Sequence, residues 1–155
     1  MVGSDAGGPL ESAFGLAASR LPSAATLTRW GLGGMLVTAG THKLLDPAGW
    51  AVYVTDWLAP FLVVSPVVFM LINGWLEIGF GLALLADRYA GIAAAVAAVS
   101  LTATVGYLAV VWVTTGLFGD VLARDVGLVG LALAVFVNSV RERDENSERA
   151  PSLRE

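Results

Sequence analysis

A run of 20 mostly apolar residues, 67–86, constrains the fold of this chain most strongly. As a helix it is about 30 Å long, which matches the hydrocarbon thickness of a bilayer. Glu77 lies near its middle, and Asn73 shares its helical face four residues earlier. A carboxylate at that depth costs roughly 2.5–3.5 kcal/mol on insertion scales unless it has partners or water. Other parts of the chain must therefore supply polar or charged partners for Glu77.

The composition indicates an integral membrane protein of one domain. The chain is 56% hydrophobic and only 14% charged, whereas a soluble domain carries about 25% charged residues. There is no cysteine, which excludes disulfides, dithiol redox chemistry and thiolate metal sites. The single histidine, His42, cannot build a His-rich metal centre. We expect no metal and no covalently bound cofactor, the lipid bilayer as the main partner, and no nucleic acid.

Hydropathy and breaker residues predict an all-α, four-helix membrane bundle, a multi-pass protein of the cell membrane. The spans are expected at about 26–45, 66–86, 89–113 and 123–140, with a mobile segment at 1–25 and a charged, disordered tail at 141–155. An even number of spans puts both termini on one side. Seven arginines then lie on the side of the termini, against Lys43 and Arg124 on the other. The positive-inside rule therefore predicts that both termini are cytoplasmic.

The residues between the first two spans, 48–62, are aromatic and too polar for a further span. Trp50, Tyr53 and Trp57 follow one another at i, i+3 and i+7, which is one face of a helix. We predict a short amphipathic helix at the membrane surface. Its aromatic side chains serve either as an interfacial anchor or as the roof of a ligand site.

Small residues in the first span predict close approach of a neighbouring helix. They are Gly31, Gly34, Thr38 and Gly40.

Glu77 has two candidate sources of a counter-charge. Arg29 can reach it from the inner side, and His42 or Lys43 from the outer side. Glu77 then acts either as a proton-accepting or ligand-binding carboxylate, or as a hydrogen-bonded tether that fixes helix packing. The candidate tether partners on other helices are Asn138, Ser100 and Thr104.

A second cluster of charges is predicted at the outer face. Lys43 and Asp46 end the first span, and Arg124 and Asp125 begin the fourth. Opposite charges at two helix ends can pair, and Asp125 also suits a helix N-terminus. The cluster is interpreted either as a clamp between the two helices or as a collecting site for an anion.

Three stretches resemble the DoxX family of membrane proteins. They are Arg29 followed by AGTHKLLDP at 39–47, NGWLEIGFGLALL at 73–85, and FGDVLARDVGLVGLALAV at 118–135. The resemblance implies a four-helix membrane domain, and the family is named for its similarity to the small membrane subunit of a thiosulfate:quinone oxidoreductase. It therefore implies a quinone-associated redox subunit, whose partner is a redox subunit or a second copy of the chain.

The function expected from these observations is a redox site around Glu77 as the catalytic residue, with a membrane quinone as cofactor. The substrate- or quinone-binding residues expected around it are Arg29, His42, Lys43, Trp50, Trp57, Asn73, Arg124 and Asp125. The alternative is a non-catalytic assembly, scaffold or small-solute-handling protein, in which the buried polar residues only fix helix packing.

Overall fold

A computed structural model describes residues 21–149, and within them every regular element is helical. The elements are α1 (Ala24–Leu45), α2 (Pro47–Ala51), a 3-10 turn (Ala59–Phe61), α3 (Pro66–Leu85), α4 (Ala90–Thr115) and α5 (Gly119–Arg149). Serine hydroxyls cap two of the long helices, since Ser23 accepts the backbone N–H of Thr26, and Ser65 that of Val68.

The four long helices pack as two close pairs. One pair is α1 with α3, and the other is α4 with α5. Contacts between α1 and α5 and between α3 and α4 are fewer, and they join the pairs side by side. α1 and α3 are antiparallel. The start of α1 therefore lies beside the end of α3, where Arg29 pairs with Asp87 at 2.7 Å.

Two reciprocal glycine contacts hold α1 against α3. A Cβ atom on Gly40 would lie 2.5 Å from the carbonyl oxygen of Gly74, and one on Gly74 would lie 2.9 Å from that of Gly40. Gly33 and Gly81 face each other in the same way, at 2.9 and 2.8 Å. Even a methyl group would collide with backbone atoms here, so the two helices approach more closely than any other residue would allow.

The predicted small-residue face of α1 is therefore only partly correct. Gly40 is at the contact, but a Cβ atom on Gly34 would meet nothing within 4 Å, and Thr38 is exposed with its hydroxyl bonded to its own helix. Gly33 takes the second contact position because it lies seven residues before Gly40, two helical turns along the same face.

The apolar core fills one half of the helix assembly. Leu32, Leu36, Leu84 and Val135 meet a row of alanines on α4 there. The alanines are Ala90, Ala93, Ala94, Ala97 and Ala98. Their small side chains let α5 pack closely against α4. The opposite half contains the buried charged residues, which are Lys43 and Asp125 among the described residues.

Two of the described helices, α3 and α4, are long and apolar enough to cross a membrane. Only 22% and 28% of their most apolar windows are buried inside the protein, unlike the core helices of a soluble protein, which are mostly buried. The exposed side chains include Ile72, Trp75, Ile92, Val99 and Val113, and they suit contact with lipid.

Two local predictions differ from the structure. Residues 141–149 are helical, because α5 runs on to Arg149, whereas a disordered tail was predicted; the segment has no proline or glycine to end the helix. In the aromatic region the helix ends at Ala51 and turns follow, so Tyr53 and Trp57 do not extend a helical face. β-Branched residues at 52, 54 and 55 and a proline at 60 disfavour helix there. The predicted mobile segment lies almost wholly outside the described residues.

The glycine contact makes a direct prediction about stability. Replacing Gly40 with alanine should lower the free energy of unfolding by about 2 kcal/mol, because overpacking against backbone forces the helices apart. The matched change Gly34→Ala should be neutral or stabilising by up to about 1 kcal/mol, through helix propensity alone. Thermal unfolding in detergent, followed by circular dichroism, measures both; equal effects would contradict the packing described here.

Candidate functional site

The central feature of the site is an ion pair between α1 and α3. Lys43 Nζ lies 2.5 Å from Glu77 Oε1, and it donates a hydrogen bond to that oxygen. Each residue follows the glycine contact by three positions, Lys43 after Gly40 and Glu77 after Gly74. Residues three apart share a helical face. The close approach of the two backbones therefore brings the two side chains together.

Of the two candidate sources of a counter-charge for Glu77, the inner one, Arg29, does not pair with it. Arg29 Nη1 instead donates to the Leu84 carbonyl at 3.2 Å and pairs with Asp87. Arg29 lies fourteen residues before Lys43 on the same helix, a rise of about 21 Å. The side chain therefore sits at the opposite end of α1, and the predicted outer alternative, Lys43, takes its place.

Trp50 covers the lysine of the ion pair. The Lys43 ammonium lies 4.6 Å from the centroid of the Trp50 ring, a cation–π contact. The indole Nε1 donates a 2.6 Å hydrogen bond to His42 Nδ1, which fixes the orientation of the ring. Lys43 is only 7% exposed as a result. Three residues predicted for the site, His42, Lys43 and Trp50, are thus in mutual contact.

Glu77 has a carboxylate oxygen that nothing satisfies among the described residues. Oε2 is buried and has no hydrogen-bond partner there, while Oε1 takes the bond from Lys43. None of the predicted tether partners bonds to it. Ser100 and Thr104 are exposed, and the Thr104 hydroxyl donates to the Ser100 carbonyl of its own helix. A buried, unpaired carboxylate oxygen is costly. Such an oxygen is chemically able to accept a hydrogen bond from a hydroxyl, an ammonium group or water.

Asp125 adds a second buried carboxylate to this half of the protein. It is 5% exposed, and its Oδ1 accepts from the neighbouring Arg124 Nε at 2.9 Å. The predicted clamp between helix ends is not formed by this pair, because both partners belong to α5. Asp46 instead caps α2 by accepting the Gly49 N–H at 3.0 Å.

The remaining predicted residues have separate positions. Asn73 is half-buried one turn before Glu77 on α3. Trp57 is 61% exposed and stacks on Tyr107 of α4, with ring centroids 5.8 Å apart. The sequence reasoning missed Tyr107, whose hydroxyl bonds to the segment that carries Trp50 and Trp57. Its only signal was a phenol in a helix built mostly of aliphatic and small residues.

The comparisons agree with the family suggested by the sequence. A family model described as DoxX matches residues 24–115, which contain α1 to α4 and both halves of the Lys43–Glu77 pair. The stretch at 118–135 lies beyond this match. No curated protein and no solved structure matches the chain. The family and the two apolar helices together indicate a membrane protein. Because the match covers more than half of its length, the chain belongs to the DoxX family.

Proposed function

We propose that this DoxX protein is a quinone-associated redox subunit of the cell membrane, similar in role to the small membrane subunit of a thiosulfate:quinone oxidoreductase. The observation that carries the proposal is the Lys43–Glu77 pair, whose lysine lies against Trp50 and whose carboxylate keeps one unsatisfied acceptor oxygen. The electrons come from a redox partner subunit.

The proposed topology is a four-helix membrane bundle in which α1, α3, α4 and α5 all span the bilayer. The side-by-side helix packing and the exposed apolar side chains of α3 and α4 support it. Arg29 and Asp87 meet at one end of the assembly, and Arg143 approaches Gly91. This arginine-rich end suits the cytoplasm, so both termini are placed there and the Lys43–Glu77 pair in the outer half.

The chemistry of the pair suits a quinone and its reduced form. A quinone carbonyl needs a hydrogen-bond donor, and the Lys43 ammonium has three N–H groups, of which one goes to Glu77. A quinol hydroxyl needs an acceptor, and Glu77 Oε2 is one. A carboxylate beside the ring can also take up or release the proton that accompanies electron transfer. Trp50 supplies an aromatic face for a planar headgroup.

The alternative function is a non-catalytic assembly or scaffold protein. The observation that favours it is that Lys43 already satisfies one oxygen of Glu77 and lies between two helices. A buried ion pair can serve to fix helix register rather than to bind a ligand. Under this alternative the pair is replaceable by apolar residues without loss of function.

The topology is tested by fusions at two positions. Green fluorescent protein after Glu155 should fluoresce and alkaline phosphatase at the same position should be inactive, because the C-terminus is cytoplasmic. A phosphatase fusion after Gly116, at the end of α4, should be active. Active phosphatase at Glu155 would contradict the proposed orientation.

Quinone binding is tested with Glu77→Gln. This change removes the carboxylate charge at nearly constant shape, and it should weaken binding of a short-chain quinol by about tenfold, as expected for a lost charge-assisted hydrogen bond. The matched control is Glu142→Gln, an exposed carboxylate at the far end of α5, which should bind as the wild type does. Titration of protein in nanodiscs measures both. Unchanged affinity in Glu77→Gln would remove Glu77 from the mechanism.

The two functions differ in what a doubly apolar variant does. Lys43→Met alone should lower the free energy of unfolding by about 3–5 kcal/mol, because it leaves a buried carboxylate unpaired. Adding Glu77→Met should restore most of that stability. If the pair is a redox site, the folded double variant should bind no quinol; if the pair only fixes packing, complementation of a deletion strain by the double variant should equal that by the wild type.

A further inference from the structure

The hydroxyl of Tyr107 uses its whole hydrogen-bonding capacity on one stretch of chain. It donates to the Tyr53 carbonyl at 2.7 Å and accepts from the Thr55 backbone N–H at 3.1 Å. It also lies 2.9 Å from Thr55 Oγ1. A phenol has one hydrogen to give and two lone pairs to receive. Thr55 Oγ1 must therefore be the donor in the third contact, and no capacity is left over.

Aromatic contacts hold the same stretch, residues 50–62, which is called the aromatic segment below. Trp57 stacks on the Tyr107 ring at an interplanar angle of 16°. Phe118, in the turn between α4 and α5, meets Tyr53 edge-on with centroids 4.8 Å apart. Phe118 adopts a left-handed backbone with φ of 63°, a strained conformation for a bulky residue. The contact with Tyr53 is thus maintained at a conformational cost.

The aromatic segment begins in α2, which packs on α3 and α1, but it buries few side chains of its own. Neither the five-residue α2 nor the 3-10 turn contains a buried residue. Segments with few buried apolar contacts open locally at low free energy. The contacts with Tyr107 and Phe118 therefore supply much of the attachment of this segment to α4 and α5.

The aromatic segment also covers the lysine of the ion pair. Trp50 lies over the Lys43 ammonium and is in contact with Tyr53, at a centroid distance of 5.9 Å. On the other side of the pair, Glu77 Oε2 is buried and lacks a hydrogen-bond partner in the described part of the chain. A ligand can reach that oxygen only if something moves.

We infer that the aromatic segment is a lid over the Lys43–Glu77 pair and that Tyr107 is the positioning residue that latches it closed. The inference rests on the proposed function for the identity of the ligand, since a quinol headgroup would enter when the latch releases. Tyr107 acts through Trp50 and touches neither member of the pair in the contacts described.

The experiment uses a single introduced thiol, because the chain contains no cysteine. Met70 is 7% exposed and lies seven residues before Glu77 on the same face of α3. Met70→Cys protein in nanodiscs is reacted with a charged, membrane-impermeant maleimide. Adding Tyr107→Phe removes all three hydrogen bonds but keeps the ring that stacks on Trp57, and it should raise the labelling rate at least about tenfold.

Two controls separate a lid from a general loss of stability. Tyr89→Phe makes the same chemical change at an exposed tyrosine at the far end of α4, and should leave the Met70→Cys rate unchanged. Ala97→Cys places the thiol in the apolar core, where Tyr107→Phe should not change the rate. Equal Met70→Cys rates with and without Tyr107→Phe overturn the inference. An equal rise at Ala97→Cys also overturns it, because Tyr107 would then stabilise the whole fold.

The outcome is distinguishable from that of the quinone proposal. No quinone is present in the labelling assay, so the labelling rates test the lid independently of the ligand. Adding a short-chain quinol to Met70→Cys protein should slow labelling if the ligand enters beneath the lid. If Tyr107→Phe speeds labelling but quinol gives no protection, the lid is supported and the proposal that a quinone binds beneath it is contradicted.

Discussion

The close approach of α1 and α3 is the constraint on which the site depends. Two pairs of glycines allow the helix backbones to meet with no side chain between them. Lys43 and Glu77 are each three residues beyond such a glycine, so the backbone contact determines their separation. In hydrocarbon there is no hydrophobic force to bring helices together, and packing of small residues and polar contacts must do it. In this protein the glycine contact and the Lys43–Glu77 ion pair lie one helical turn apart along α1 and α3.

Burial of the ion pair has two opposing effects on the free energy of the folded protein. Burying Lys43 and Glu77 strengthens their attraction, but it also takes both charges away from water. One oxygen of Glu77 gains a partner from this arrangement and the other loses solvent without gaining one. A protein selected for stability alone would satisfy both oxygens. The unsatisfied one is the physical reason to look for a ligand here and not at the Arg29–Asp87 pair, whose carboxylate is 65% exposed.

Much of this could be predicted from the sequence, and the failures have identifiable causes. Glu77 was found because an acid in the middle of a 20-residue apolar run needs an explanation whatever the packing. Its partner was not assigned, because Arg29 and Lys43 lie at opposite ends of one helix, and only the register between α1 and α3 decides which end Glu77 meets. Family membership was predicted from the order and spacing of short motifs, and it is confirmed by the match over residues 24–115.

The aromatic region shows where periodicity misleads. Trp50, Tyr53 and Trp57 have helical spacing, yet the helix ends at Ala51. Tyr53 and Trp57 are held instead by Tyr107, which is fifty or more residues away in sequence. A hydrogen bond of that separation has no local signal. Such contacts are set by tertiary structure, and single-sequence reasoning has no access to them.

The continuation of α5 has a consequence for whatever meets the end of this chain. The nine residues after Val140 are helical up to Arg149, which adds a rod of about 14 Å with charges on its sides. A rigid helix fixes the orientation of a bound protein, whereas a flexible segment would only keep that protein nearby. A protein that docked on these residues would be held at a defined angle and height relative to the helices beneath it.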